Sequence, residues 1–239
     1  MSVQVFETPE LLAEAAARAF VEGAAEAIAE RGRFAVALAG GSTPKATYEV
    51  LARDHAGGVD WPNVHVFFGD ERTVPPDHGD SNYRMAREAL LDHVPVGFVH
   101  RMRGELPPDE AAASYEGELN EFFGGEPPAL DLVMLGIGED GHTASLFPQT
   151  PALEATDRLV VANPVPKLET TRLTLTAPVL NVARRVVFLV AGEGKSEALA
   201  QILEGDADPR AYPAKLVRPP SGPIWIVDRD AAGSLEHSA

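Results

Sequence analysis

Phe34-Ala-Val-Ala-Leu-Ala-Gly-Gly-Ser-Thr-Pro-Lys-Ala-Thr-Tyr-Glu-Val-Leu51 passes from an unbroken apolar run to a glycine pair and then to a helical segment. Phe34–Ala39 has the length and continuity of a buried strand. Gly40 and Gly41 remove side chains where the backbone must turn sharply or let a ligand approach. Thr43 is placed to act as an N-cap, and Pro44 suits the first helical position. The start of a helix carries unpaired backbone N–H groups, and Ser42 and Thr43 add hydroxyls. Gly40, Gly41, Ser42 and Thr43 therefore make a candidate anion site. The segment matches neither GxxxxGK[ST] nor GxGxxG, so a single phosphate on a small molecule suits it better than a nucleotide. The same residues would also serve as an ordinary capped helix after a tight turn.

A second strand-and-turn unit runs from Asp131 through Leu135-Gly-Ile-Gly-Glu-Asp-Gly-His-Thr-Ala-Ser-Leu-Phe-Pro148. Asp131–Leu135 reads as a short buried strand, and Gly136, Gly138 and Gly141 as the punctuation of the turn. Asp140 and His142 stand two apart, too close to share a helical face but well placed to converge in a turn. A carboxylate that fixes an imidazole beside a cleft makes a general base, and histidine ordinarily titrates near neutrality. A Gly-rich turn with a solvated Asp and His is the plainer alternative. His55, His65, His78, His93, His100 and His237 lie in polar contexts and read as surface or structural residues.

Strand-like runs at Phe34–Ala39, Val64–Phe68, Asp131–Leu135, Arg158–Ala162, Arg172–Thr176, Val186–Ala191 and Ile224–Val227 alternate with helical stretches. The helices are expected at Pro9–Arg31, Pro44–Asp54, Asn82–His93, Asp109–Phe123 and Lys195–Leu203. This alternation predicts an α/β fold of Rossmann-like but modified kind, an open, mostly parallel sheet with helices on both faces. No stretch reads as an interdomain linker or an internal repeat, so residues 1–239 are expected to form a single domain. Ligands in such sheets bind outside the carboxyl ends of the strands, where both glycine turns would lie. The polar closing stretch Gly233–Ala239 is expected to fray.

The composition narrows the partners. There is no cysteine, so disulfides and thiolate metal sites are ruled out. HExxH and paired-histidine spacings are missing, GxSxG is missing, and no metal or cofactor is expected. The N-terminus lacks a secretory pattern and no apolar run reaches the roughly 20 residues of a membrane span, so a cytoplasmic protein is expected. A net charge of −16 argues against nucleic acid and anionic membranes as partners. It would also repel a phosphorylated substrate, so the site needs local cations, for which Arg72, Arg172 and Lys195 are the candidates.

Three blocks resemble the signatures of the 6-phosphogluconolactonase family: Gly40-Gly-Ser-Thr-Pro44, Asp70-Glu-Arg-Thr-Val-Pro75 with Ser81-Asn-Tyr83, and Gly136-Ile-Gly-Glu-Asp-Gly-His-Thr-Ala-Ser-Leu-Phe-Pro148. The likeness continues through Arg172-Leu-Thr-Leu-Thr176, Gly192-Glu-Gly-Lys195, Pro213-Ala-Lys215 and Trp225-Ile-Val-Asp228, and so covers essentially the whole chain. It implies hydrolysis of 6-phospho-D-glucono-1,5-lactone in the oxidative branch of the pentose phosphate pathway; no cofactor is called for, and a monomer is expected. By that likeness Arg72 lies at the substrate, Arg172 on the phosphate side or just behind it, and Lys195 on the phosphate. His142 is the expected base and Asp140 its orienting partner, while Asp70 and Glu71 are expected to support Arg72 from behind. The related glucosamine-6-phosphate deaminases share the phosphate loop and the Asp-Gly-His element. They use a further glutamate where this chain has Phe147, and a tyrosine where it has Arg72. A non-catalytic sugar-phosphate sensor is the third alternative, although such proteins carry a DNA-binding segment and often lack the base.

Overall fold

The chain becomes β1 (Ser2–Phe6), α1 (Pro9–Arg31), β2 (Phe34–Leu38), α2 (Ser42–Asp54), β3 (Val64–Phe68), β4 (Asp70–Arg72), α3 (Asn82–Ala89) and β5 (Phe98–Val99). It continues with α4 (Pro108–Phe122), β6 (Leu132–Leu135), β7 (Val160–Val165), β8 (Thr170–Leu175), α5 (Ala177–Val182), β9 (Val186–Val190), α6 (Ser196–Leu203) and β10 (Ile224–Asp228). This is a computed structural model, described over residues 1–236. Seven strands form a parallel sheet in the order β1-β10-β9-β6-β2-β3-β5, and β4-β8-β7 form a separate three-stranded antiparallel sheet.

A strand buried on both faces has no polar side, which is why β2 and β6 are continuous apolar runs. Phe34, Val36 and Leu38 of β2, with Leu132 and Met134 of β6, face the layer of α1, α2 and α3. Ala35 and Ala37, with Val133 and Leu135, face α4, α5, α6 and the small sheet. The helices therefore cover both faces, as the alternation predicts. In α1, the Thr8 hydroxyl accepts from Leu11 N–H, Pro9 opens the first turn and Gly32 closes the helix at φ 72°. That combination of cap, proline and left-handed glycine accounts for a helix with the bounds expected from the sequence.

Several expectations need correction. Arg158–Ala162 and Arg172–Thr176 were expected among the strands of the alternation; shifted to β7 and β8, they leave the parallel sheet and pair antiparallel with each other and with β4. β1, β4, β5 and α5 were not anticipated. β1 lies exposed at the edge of the sheet and β4 is a three-residue polar segment, so neither shows an apolar run. The helix expected over Asn82–His93 stops at Ala89, and Leu91–His93 forms a separate tight turn. Lys195 belongs to the 3-10 turn Glu193–Lys195 that precedes α6. Thr43 is not the N-cap of α2: the helix starts at Ser42, and Gly41 at φ 104° occupies the cap. At the C-terminus, Ala231–Ser234 is a turn with Ala231 and Ala232 buried. The expectations for residues 237–239, His237 included, lie outside the described residues.

No helix among the described residues is long and apolar enough to cross a membrane. His65 and His100 stack in a cluster with Phe67, Phe98 and Phe122 on the far side of the sheet from α1, a packing role.

Candidate active site

From β2 the sheet grows in one direction through β3 and β5 and in the other through β6, β9, β10 and β1. The chain reverses its direction of winding between β2 and β6, and the crevice at such a switch point is where open α/β sheets bind ligands. The two glycine turns leave the carboxyl ends of those two strands. Two tyrosines fix the neighbouring strand ends. The Tyr48 hydroxyl of α2 accepts from Ala39 N–H and donates to Ala39 C=O, both at 2.9 Å. The Tyr115 hydroxyl of α4 accepts from Phe68 N–H at 2.8 Å. Both are fully buried, and burial pushes both phenols above their ordinary pKa, so each remains a neutral strand-end clasp.

A cleft of about 360 Å³ opens there, and its wall includes Gly40, Gly41, Arg72, Arg172 and Lys195 together with Gly136, Gly138, His142, Ser145 and Phe147. Ser42 and Thr43 lie outside its wall, because α2 begins two residues earlier than expected and takes both residues into its first turn. Their backbone N–H groups remain at the helix start, where donors and dipole favour an anion. Gly40 is required by close packing: a Cβ there would stand 1.9 Å from Asn82 Oδ1. Lys195 is placed by the turn before it. Gly192 takes φ 92° and its N–H donates to both oxygens of the buried Asp228, at 3.0 Å each.

Arg72 and Arg172 face each other in the β4–β8 ladder. The Arg72 guanidinium also donates to Asp80 C=O. Burial, followed by the charge of Arg72, lowers the Arg172 pKa from its ordinary value. Arg72, Lys167, Arg172 and Lys195 thus stand against Asp70 in the cleft wall, a local excess of positive charge in a chain of net charge −16.

In the second glycine turn, His142 Nδ1 lies 2.5 Å from Asp140 Oδ1. Gly138 makes this possible, since a Cβ there would fall 2.0 Å from His142 Nδ1 and 2.7 Å from Asp140 Oδ1. Gly138 N–H donates to His142 C=O at 2.8 Å, closing the turn. The His142 ring stacks on Phe147 with centroids 4.1 Å apart. Further along the loop, Thr143 Oγ1 donates to Gly136 C=O, Ser145 N–H donates to Thr174 Oγ1, and buried Asn163 Nδ2 donates to Ser145 C=O. Ser145 Oγ donates to Asp70 Oδ2 at 2.6 Å.

Histidine's ordinary titration near neutrality does not describe His142. Burial pushes its pKa down to about 4, with Lys195, Arg172 and Arg72 acting in the same direction and Asp70 opposing. The imidazole is neutral at pH 7, which is the form that accepts a proton.

The structure brings together Gly40, Gly41, Asp70, Arg72, His142, Arg172 and Lys195, with Asp140 behind His142. It places Glu71 differently from expectation. Its carboxylate does not hold the Arg72 guanidinium; it accepts from the backbone N–H of Arg72, Asn82 and Tyr83 and from Ser81 Oγ. Glu71 therefore fastens the start of α3, and burial, opposed by those donors, raises its pKa. Asn82 and Lys167 were not singled out from the sequence, yet both line the cleft. Asn82 stands within the Ser81-Asn-Tyr83 block and its Nδ2 donates to Asp70. Lys167 carries no sequence signal of its own. Among the described residues, no group of three or more His, Asp or Glu is arranged to hold a metal ion.

The fold and the cleft define a class of open α/β proteins with an Asp–His pair and several cations in a crevice at the switch point of the sheet. The family model described as glucosamine-6-phosphate isomerases/6-phosphogluconolactonase matches residues 7–226, and the chain belongs to that family. It is 47% identical to the 6-phosphogluconolactonase of Synechocystis sp. over 239 residues, covering 98% of both proteins. The solved 6-phosphogluconolactonase of Trypanosoma cruzi superposes with a TM-score of 0.86 at 30% identity, over 98% of this chain and 97% of that one. A monomeric glucosamine-6-phosphate deaminase superposes with a TM-score of 0.80 at 25% identity, over 98% and 100%. The shared backbone therefore does not by itself separate the two activities of the family.

Proposed function

We propose that the chain hydrolyses 6-phospho-D-glucono-1,5-lactone to 6-phosphogluconate. The observation that carries this reading is a neutral imidazole, paired with a carboxylate, in one cleft with three cations and the glycine turn before a helix start. The names of the full-length relatives support the lactone as substrate. Phe147, stacked on the imidazole where the deaminases use a glutamate, argues against proton shuttling between carbons.

The phosphate rests against Gly40, Gly41 and the first turn of α2, with Lys195 and Arg172 as cationic partners. The lactone carbonyl then lies toward His142. Asp140 accepts a hydrogen bond from Nδ1–H and leaves Nε2 free to take a proton from water as the water oxygen attacks the carbonyl carbon. The tetrahedral intermediate carries its negative charge near Arg72. It collapses by breaking the bond to the ring oxygen, which takes the proton back from His142. A lactone is an activated ester, so positioning, one base and charge stabilisation meet the demand.

The test offers the purified protein freshly generated 6-phosphogluconolactone and, separately, glucosamine 6-phosphate. Opening of the lactone faster than its spontaneous rate, without ammonia from the amino sugar, is the expected result. Ammonia release, or no acceleration of lactone opening, overturns the reading.

A further inference from the structure

Lys167 sits at the tip of the β7–β8 hairpin, in the short turn Pro166–Leu168. Its ammonium pairs with Asp140 Oδ2 and lies 5.3 Å from the centroid of the Phe147 ring. The other oxygen of the same carboxylate binds His142 Nδ1, and Phe147 stacks on the same imidazole. Lys167 thus touches both groups that hold the imidazole, one through charge and the other through its π face. It lies 27 residues from Asp140 in the chain and reaches it only because β7 and β8 fold back on each other.

We propose that Lys167 is a positioning residue for the lactonase reaction, clamping the Asp140 carboxylate beside His142 and offsetting its charge so that the imidazole remains able to accept a proton. The proposal rests on His142 as the base in the function proposed above. A carboxylate close to an imidazole favours the imidazolium, and a cation on that carboxylate reduces the bias. The charged groups facing His142 are Asp140 on its own loop, Asp70 and Arg72 on β4, Arg172 on β8 and Lys195 before α6. Without Lys167, the nearest carboxylate acts on the ring with no partner on its second oxygen. The imidazole then holds its proton to higher pH and fails as a base over a wider acid range. The Lys167 side chain is 53% exposed, so solvent screens the effect to about one pH unit.

The experiment follows His142 by NMR in protein carrying 15N-labelled histidine, across wild type, Lys167→Met, Lys167→Arg, Asp140→Asn and the Lys167→Met/Asp140→Asn double variant. Methionine keeps the length of the side chain over Phe147 and removes the charge. Lys167→Met is expected to raise the His142 midpoint by about one pH unit, with the acid limb of kcat/KM moving by the same amount. Lys167→Arg restores the wild-type midpoint, and Lys167→Met has no effect once Asp140 is asparagine. An unmoved midpoint in Lys167→Met, or a shift that persists in the Asp140→Asn background, overturns the proposal. Because the NMR titration needs no turnover, a shifted midpoint in a protein without lactonase activity would condemn the functional reading and leave the clamp standing.

Discussion

Arg72 and Arg172 stand directly opposite each other across the β4–β8 ladder, and both side chains line the cleft. Like charges directly opposite each other destabilise a sheet, and under the proposed function a bound phosphate would relieve the pair. Arg172→Gln is therefore expected to leave the free protein as stable as wild type or slightly more so. It should also remove much of the stabilisation that 6-phosphogluconate confers. Thermal denaturation with and without the product checks both halves. Arg172→Gln that is less stable when empty, yet equally stabilised by product, would contradict the role.

Gly138 leaves the least room for a side chain among the glycines of the Asp140–His142 loop. Gly138→Ala places a methyl group where His142 Nδ1 and Asp140 Oδ1 now lie, so the pair must separate. A positioned base contributes about 10²–10⁴-fold, and kcat should fall by at least the lower figure. The fold should persist, since the loop lies outside the sheet. Steady-state kinetics alongside circular dichroism separates loss of geometry from loss of structure.

His142→Asn should lower kcat by about 10²–10⁴-fold while affinity for 6-phosphogluconate stays close to wild type, because the proposed phosphate contacts belong to other residues. In the wild type, kcat/KM should be level through neutral pH and decline only in acid, below the ordinary histidine range, because the pKa is pushed down to about 4. The same shift affects stability. The unfolded chain takes up the His142 proton at higher pH than the native protein does. The group's contribution is therefore fully present above about pH 6.5 and is lost as pH falls toward the native value. Denaturant titrations of wild type and His142→Asn at pH 7.5 and 4.5 should show the gap between them change with that sign.

Glu71 is a structural carboxylate. It accepts three backbone N–H groups and the Ser81 hydroxyl while only 3% exposed, so Glu71→Ala leaves several buried donors unpaired. A loss of about 3 kcal/mol or more is expected from urea denaturation. Asn82, fastened by the same carboxylate, should lose its place against Gly40, raising KM along with the loss of stability.

Asp131–Leu135, the two glycine turns and the Asp140–His142 spacing are local features, and local chemistry was enough to read them. A strand buried on both faces must be apolar throughout, and a tight turn that packs against other groups needs glycine, so the amino-acid sequence determined the parallel sheet and the two loops at its switch point. The bounds of α1 were legible for the same reason, since cap, proline and closing glycine act within a few residues of each end.

Only the tertiary structure decided the rest. Arg158–Ala162 and Arg172–Thr176 look like any other strands in the chain, and pairing with β4 rather than the main sheet is a long-range choice. The same pairing sets Arg72 opposite Arg172 and delivers Lys167 to Asp140. The depressed pKa of His142 has no sequence signature, because it arises from burial and from cations drawn from three separate segments. Residue types and spacings determine which turns and strands can form. Charge balance in the cleft depends on which distant segments meet, and that is settled when the two sheets close over the switch point.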